Sequence, residues 1–412
     1  MKIATAQKTI TPPKELGEYY LCGHAIRTEK AIGVLDDIVA TAYVLDMNGE
    51  ELVWISCELI GLSKEFSLSL IDEISGKYNV EKSNIMIGFT HTHSAPESES
   101  LGKFTRGNND TIDNYMKWVR ERVLQTVSDA MAAVPIEVSA RVKTTEIDGF
   151  YGNRNTVENP GDKEFIELDF IDQNEQVVAT ILNFNSHPTV LGPQNLETSG
   201  DVAGFIRRYY QEKYGCYSLV MIGAAGNMSN RLYRQGNDYK ELVRTGEGII
   251  TQIENNSKYI DIKMDSVDVG VYQYSKQFKI SRQDKEENLK ECERRISEAT
   301  TFDQKKVYSS AKAFIESELS DFKTEHTLNL DCRIYKFDDI TIVTVPAELF
   351  EQFGKLLKSR NNKKCTIIWG YTLYNSGYLY NKEEKGNSFE SIASNIPSGT
   401  VENFIDLLSE RM

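Results

Sequence analysis

Apolar and polar positions along the chain change period several times, from two to about 3.6 and back. Residues 39–46 and 51–56 are runs rich in β-branched and aromatic residues, and the Asn48-Gly49 pair between them is a strong two-residue hairpin signal. Residues 64–78 read as a helix and 84–90 as a strand. This strand–helix–strand order predicts a mixed or parallel sheet with a crossover helix. From Thr111 to about Val134, apolar residues fall at Ile112, Tyr115, Met116, Val119, Val123, Val127, Ala130 and Met131, a helical spacing that Pro135 stops. Further strands are predicted over 136–142, 164–170, 177–186, 217–223, 328–336, 339–345 and Cys365–Trp369, with helices over 202–213 and 236–255. The lysine- and glutamate-rich stretch 281–320 reads as a pair of exposed helices, an insertion or peripheral cover with a solvated face. No internal repeat or low-complexity linker divides the chain. The expectation is one α/β domain over 1–412, with mixed β-sheets flanked by helices.

Composition narrows what such a domain can do. Of 412 residues, 40% are apolar and 10% aromatic, ample for a large core. Net charge is 47 − 61 = −14, which disfavours nucleic acid or an anionic membrane surface as a partner and leaves a small molecule as the expected one. The start, Met1 to Gln7, lacks the apolar h-region of a signal peptide. No uninterrupted apolar run reaches the roughly 18–20 residues that span a bilayer, so no transmembrane segment is expected. The six cysteines lack CxxC or other metal spacing and read as reduced thiols of a cytoplasmic protein.

Candidate chemistry gathers where predicted strands end. The run Ile85 to Phe89 leads to His91-Thr92-His93-Ser94-Ala95-Pro96, holding two of only five histidines. On an extended backbone residues i and i+2 face the same side, so His91 and His93 would address one site together. The strand 177–186 runs into His187-Pro188, and 339–345 is followed by Pro346-Ala347-Glu348. Imidazoles plus a carboxylate suit Zn²⁺, but an HxH pair or a lone His-Pro can equally pack or cap. The turn Gly223-Ala224-Ala225-Gly226-Asn227-Met228-Ser229 can expose amide groups to an anion or oxyanion, or simply join a strand to a helix. It is neither a P-loop nor a GxSxG elbow. Asp201 is read as the cap of the helix that follows it.

Taken in order, Ile10-Thr11-Pro12-Pro13, His91-Thr92-His93-Ser94-Ala95-Pro96, Asn153-Arg154, His187-Pro188, Gly200-Asp201, Ala225-Gly226-Asn227-Met228-Ser229, Pro346-Ala347-Glu348 and Gly377-Tyr378 resemble the neutral/alkaline non-lysosomal ceramidase family. The resemblance implies a zinc-dependent amidohydrolase that cleaves ceramide or another N-acyl compound by metal-activated water. It makes His91, His187, Glu348 and Tyr378 the expected metal ligands, with Tyr374 or Tyr380 as alternatives to Tyr378. His93, Arg154 and Ser229 become the expected catalytic residues. With no Ser-His-Asp triad visible in the sequence, Ser229 reads as a positioning hydroxyl in preference to a nucleophile. Ala347 stands where the family has glycine, and Asn230 where it usually has proline. A C-terminal immunoglobulin-like domain and a secretion signal are not expected here. The same metal centre acting on an ester or lactone, and a non-catalytic metal-bearing binding protein, are the competing readings.

Overall fold

Three sheets of four or five strands carry the fold, and each contains one parallel strand pair. The computed structural model describes residues 1–100 and 105–412. In the first sheet, Glu50–Cys57 runs parallel to Ile85–Phe89, with the helix Lys64–Tyr78 between them in sequence. In the second, Val177–Phe184 is parallel to Ser218–Ile222 across the helix Asp201–Tyr214. In the third, Ile340–Thr344 is parallel to Cys365–Trp369 across Glu351–Arg360. The crossover expected near residue 64 is present, and the same arrangement recurs twice. Antiparallel strands complete each sheet, giving mixed sheets flanked by helices.

Local signals explain many of the element boundaries. Strands Val39–Met47 and Glu50–Cys57 pair through a two-residue turn, with Asn48 and Gly49 at φ 60° and 98°. Positive φ at both central positions is what a type I′ hairpin turn requires. Ser63 caps Lys64–Tyr78 by accepting the Phe66 N–H, and left-handed Asn79 ends it. The 13-residue strand Val267–Lys279 was not foreseen. Its Val267, Val269 and Val271 alternate with Asp268 and Gly270, but from Gln273 on it is mostly polar and exposed, so it offers no continuous apolar run. Backbone pairing along its whole length with Glu325–Phe337 holds it instead. Helices Arg282–Glu298 and Phe302–Ser320 fill the connection between those two strands, and Cys292, Ala311 and Ile315 pack with Ile392 into a small core of their own.

The sheets are locked together around a few buried side chains. The Ser56 hydroxyl donates to the Val220 carbonyl at 2.6 Å and the Tyr43 hydroxyl to the Thr180 carbonyl at 2.9 Å, joining the first sheet to the second. Fully buried Trp54 meets the rings of Tyr335, Phe337 and Trp369 at 5.3, 6.1 and 6.4 Å, joining the first sheet to the third. Beyond Trp369 the chain returns to the end of the first sheet, where Phe89 N–H donates to the Tyr371 carbonyl and Leu373 N–H to that of Ile87. The carboxyl ends of the three parallel pairs are thereby brought to one place. All six cysteines are free thiols. Among the described residues, no helix is long and apolar enough to cross a membrane.

Candidate metal centre

Open sheets place ligands beyond the carboxyl ends of their parallel strands, and the expected residues lie there. His91 follows Phe89 by two residues and His187 follows Phe184 by three, while Glu348 lies four beyond Thr344. The route to His91 differs from the extended one inferred from its spacing. The strand stops at Phe89, and His91 is left-handed at φ 61°. Its N–H is held by the Leu59 carbonyl at 2.9 Å. A non-glycine residue held in that region is strained, and such strain gathers at functional sites. The His91 and His93 rings still meet, 5.1 Å apart, but through this turn and not along one strand face.

Hydrogen bonds decide which ring nitrogens face the centre. His91 Nδ1 lies 2.7 Å from the Ile60 carbonyl, and His187 Nδ1 lies 2.6 Å from that of Ala225. A neutral imidazole must carry its proton on Nδ1 to make these bonds, leaving each Nε2 as a bare lone pair. Both lone pairs face one oxygen, Glu348 Oε2, at 3.6 Å from His91 and 3.0 Å from His187. The other carboxylate oxygen of Glu348 accepts from Asn375 at 3.0 Å. Burial, with Arg154 nearby, pushes His187 down to about 3, and burial also lowers His91. Burial works to raise Glu348, but His91 and His187 outweigh it and hold the carboxyl at about 2. Two imidazole nitrogens and a carboxylate oxygen therefore converge on one point. Such a cluster could hold a cation. Imidazoles anchored through Nδ1 to backbone carbonyls are the usual second-layer support of a metal site, so the donor set fits a metal ion.

The remaining expected residues surround this cluster. Both ring nitrogens of His93 are buried, without a hydrogen-bond partner among the described residues. Ligand nitrogens of His91, His93 and His187 lie within 4.8 Å of one another. Tyr378 sits in register with Glu348 in a short parallel ribbon, and its hydroxyl accepts from Arg154 at 3.2 Å. Tyr374 donates instead to Asp331 at 2.6 Å and Tyr380 to the Ile396 carbonyl at 2.7 Å, so both hydroxyls are engaged elsewhere. Arg154 is buried and pinned by Glu390 Oε1 and the Gly226 carbonyl, each at 2.7 Å. The Ser229 hydroxyl oxygen accepts the Arg231 N–H at 3.2 Å, and among the described residues no imidazole or carboxylate takes its proton.

No family model matches the chain. Over 310 residues it is 23% identical to the neutral ceramidase of Pseudomonas aeruginosa, a match covering 68% of this chain and 42% of that protein. The crystal structure of neutral ceramidase from P. aeruginosa aligns with 100% of this chain and 75% of its own, with TM-score 0.73 and 15% identity. A structure described as ceramidase complexed with C2 gives TM-score 0.72 and 14% identity over 99% of this chain and 74% of that one. The chain is related to the neutral ceramidases. It has their fold, and its sequence match takes in less than half of the curated relative's length.

In this ceramidase-related fold His91, His93 and Glu348 line a cavity of about 770 Å³, within the usual range for small-molecule sites, and His187 is buried behind them. Helix Phe302–Ser320, read from its charge as a peripheral cover, lends Val307, Ala311 and Phe314 to the cavity lining. Several site residues carried no usable sequence signal. Gly23 and His24 come from an irregular loop, and the His24 ring packs edge-on against His93 at 5.2 Å. Tyr371, left-handed at φ 55°, lies 4.4 Å from the His91 ring. Glu390 resembles any acid in a helix first turn until its buried pair with Arg154 is seen. Asp201 is not the cap expected of it: the cap position is Gly200, which makes no side-chain cap bond, and Asp201 is the first residue of the helix, left-handed at φ 54°. Besides the Val202 N–H, its carboxylate accepts those of Val190 and Leu191, fixing the loop just beyond His187.

Proposed function

We propose that this protein is a zinc-dependent hydrolase that cleaves the linear amide bond of an N-acyl compound, ceramide or a relative of it. The convergence of His91 Nε2, His187 Nε2 and Glu348 Oε2, with both Nδ1 protons directed elsewhere, is the observation that carries this reading. Those three residues would hold the ion, with Tyr378 completing the set, and mixed nitrogen and oxygen donors suit zinc. Bound there, zinc supplies Lewis acidity, polarising the amide carbonyl and lowering the pKa of a water from about 15.7 towards 7.

The chain's own residues would do the rest. His93 is kept neutral by burial and by His91 beside it, and neither of its nitrogens is engaged. It is suited to take a proton from the attacking water and deliver it to the leaving amine. Ser229, with its oxygen occupied by Arg231 N–H and no base beside it, is suited to donate its hydroxyl proton to the carbonyl oxygen. Arg154 is a positioning residue: its fork is fixed by Glu390 and Gly226, and it orients the Tyr378 hydroxyl. A second ligand set has its own support, because His93 is close enough to His91 and His187 to serve as a third nitrogen.

Metal analysis and hydrolysis of an N-acyl amide, beside its matched ester, test both readings. About one zinc per chain is expected, lost in His91→Ala and His187→Ala, with amide turnover abolished. His93→Ala that retains zinc but loses turnover supports the first ligand set, and loss of zinc in that variant supports the second. Ser229→Ala is expected to slow hydrolysis by about 10²–10³ without a covalent acyl-enzyme appearing in the wild type. Metal-free, folded wild-type protein would refute the proposal. Zinc with ester turnover and no amide turnover would move the substrate class to esters.

A further inference from the structure

One wall of the cavity has positive charge without a counter-ion. Arg231 and Lys306 both line it, one from the turn after Ser229 and the other from helix Phe302–Ser320. Two carboxylates are near them, and each is already committed. Asp303 pairs with Arg234, and Glu390 takes Arg154 and the Asn155 amide. Among the described residues neither Arg231 nor Lys306 forms a salt bridge. Burial, with Arg231 and Arg234 close by, pushes Lys306 down to about 7, and burial with Arg154 nearby lowers Arg231 to about 10. Cations crowded in this way lack an anion. Between Ser229 and Arg231, Asn230 is 2% exposed, and among the described residues both its side-chain nitrogen and oxygen are without partners while the residue lines the same cavity. A buried amide left unpaired is destabilising, and a ligand group at that wall would relieve it. This local surplus stands out in a chain of net charge −14.

We propose that the substrate's polar end carries an anion, a carboxylate, phosphate or sulfonate, bound by Arg231 and Lys306 with Asn230 donating beside them. The inference rests on the amide-hydrolase reading and narrows it from neutral ceramide to acidic N-acyl compounds. Apolar residues of the same cavity, among them Phe278, Leu328 and Ile396, accommodate the acyl chain.

The test compares zinc-loaded wild type with the Arg231→Met/Lys306→Met double variant on matched dodecanoyl amides. N-lauroylethanolamine is the neutral member, and N-lauroylglycine, N-lauroyltaurine and the ethanolamine phosphate ester are the anionic ones. Wild type is expected to favour at least one anionic member by roughly tenfold or more in kcat/KM, through KM. The double variant is expected to lose that preference by a similar factor, and the best anionic member identifies the head group. Wild type that prefers the neutral amide, or a double variant that slows all members in proportion, would overturn the inference and leave the amidase reading standing. If no amide is turned over, the amidase reading falls, and calorimetry still decides this one. N-lauroylglycine binding more tightly than N-lauroylethanolamine in wild type but not in the double variant supports it; equal binding of the two by wild type refutes it.

Discussion

His93 is held in place by a glycine, and that gives a sharp test of its role. Gly23 has φ +89°, and a Cβ built there would lie 2.4 Å from His93 Cγ and 2.5 Å from its Nδ1. Ordinary contact begins near 3.4 Å, so Gly23→Ala must push the ring by about 3.4 − 2.4 = 1.0 Å or move the loop by as much. Two costs follow. The left-handed backbone penalises an L side chain by about 1–2 kcal/mol of stability. A shift of about 1 Å in a group that must meet substrate costs about 10²-fold in rate. Gly215→Ala separates them, because Gly215 is also left-handed at φ +66° but has nothing within 4 Å of its built Cβ. In urea melts Gly215→Ala is expected to lose the backbone term alone, and Gly23→Ala that term plus the cost of relieving the overlap with His93. Only Gly23→Ala should lose about 10²-fold in kcat/KM for the N-acyl amide, with zinc content unchanged. Gly23→Ala with wild-type turnover would refute the placement of His93 at the reacting bond. Zinc lost in proportion to activity would instead make His93 a ligand.

Two further predictions concern buried charge. Glu390→Ala strands the Arg154 guanidinium, which is buried with its carboxylate partner at 2.7 Å, and should cost about 3–5 kcal/mol in chemical denaturation; the double variant with Arg154→Met should recover part of that loss, and no recovery would mean the cost is a cavity and not an orphaned charge. Burial raises the carboxyl of Glu351 to about 7 from an ordinary 4.5, so the folded state holds its proton more tightly than the unfolded chain. Its contribution is complete below about pH 4.5 and is lost as pH rises through 7, by roughly 3 kcal/mol. Glu351→Gln should flatten the stability profile over that window, and an unchanged slope would remove Glu351 as its source.

The sequence and the structure part company where side chains are mostly exposed or come from loops. Helix Asn109–Ala132 was legible because its apolar positions repeat with the turn of a helix and face one sheet. Strand Val267–Lys279 was not, because cross-strand backbone bonds hold it while most of its side chains meet water. The same division runs through the site. His91, His187 and Glu348 each stand just past a buried apolar strand, and that position made them visible. Gly23, His24, Tyr371 and Glu390 come from loops or a short helix, and only tertiary contact shows what they do.

The left-handed turn at His91 shows why the correct residues can be named from an incomplete geometric argument. An extended Phe89 to His93 would have aimed both rings to one side and left Glu348 to find them. In the structure the strand ends first, so the backbone amides of residues 90 and 91 are free to bond the Cys57 and Leu59 carbonyls. Those bonds hold His91 beneath the neighbouring strand's exit, where Ile60 supplies the carbonyl that fixes its Nδ1 proton. His187 is fixed in the same way by Ala225, at the exit of the strand parallel to its own. In both cases the adjacent parallel strand supplies the support for the histidine. Parallel pairing is therefore what makes the two imidazoles bare towards Glu348, and a lone strand ending in histidine would leave the tautomer unset.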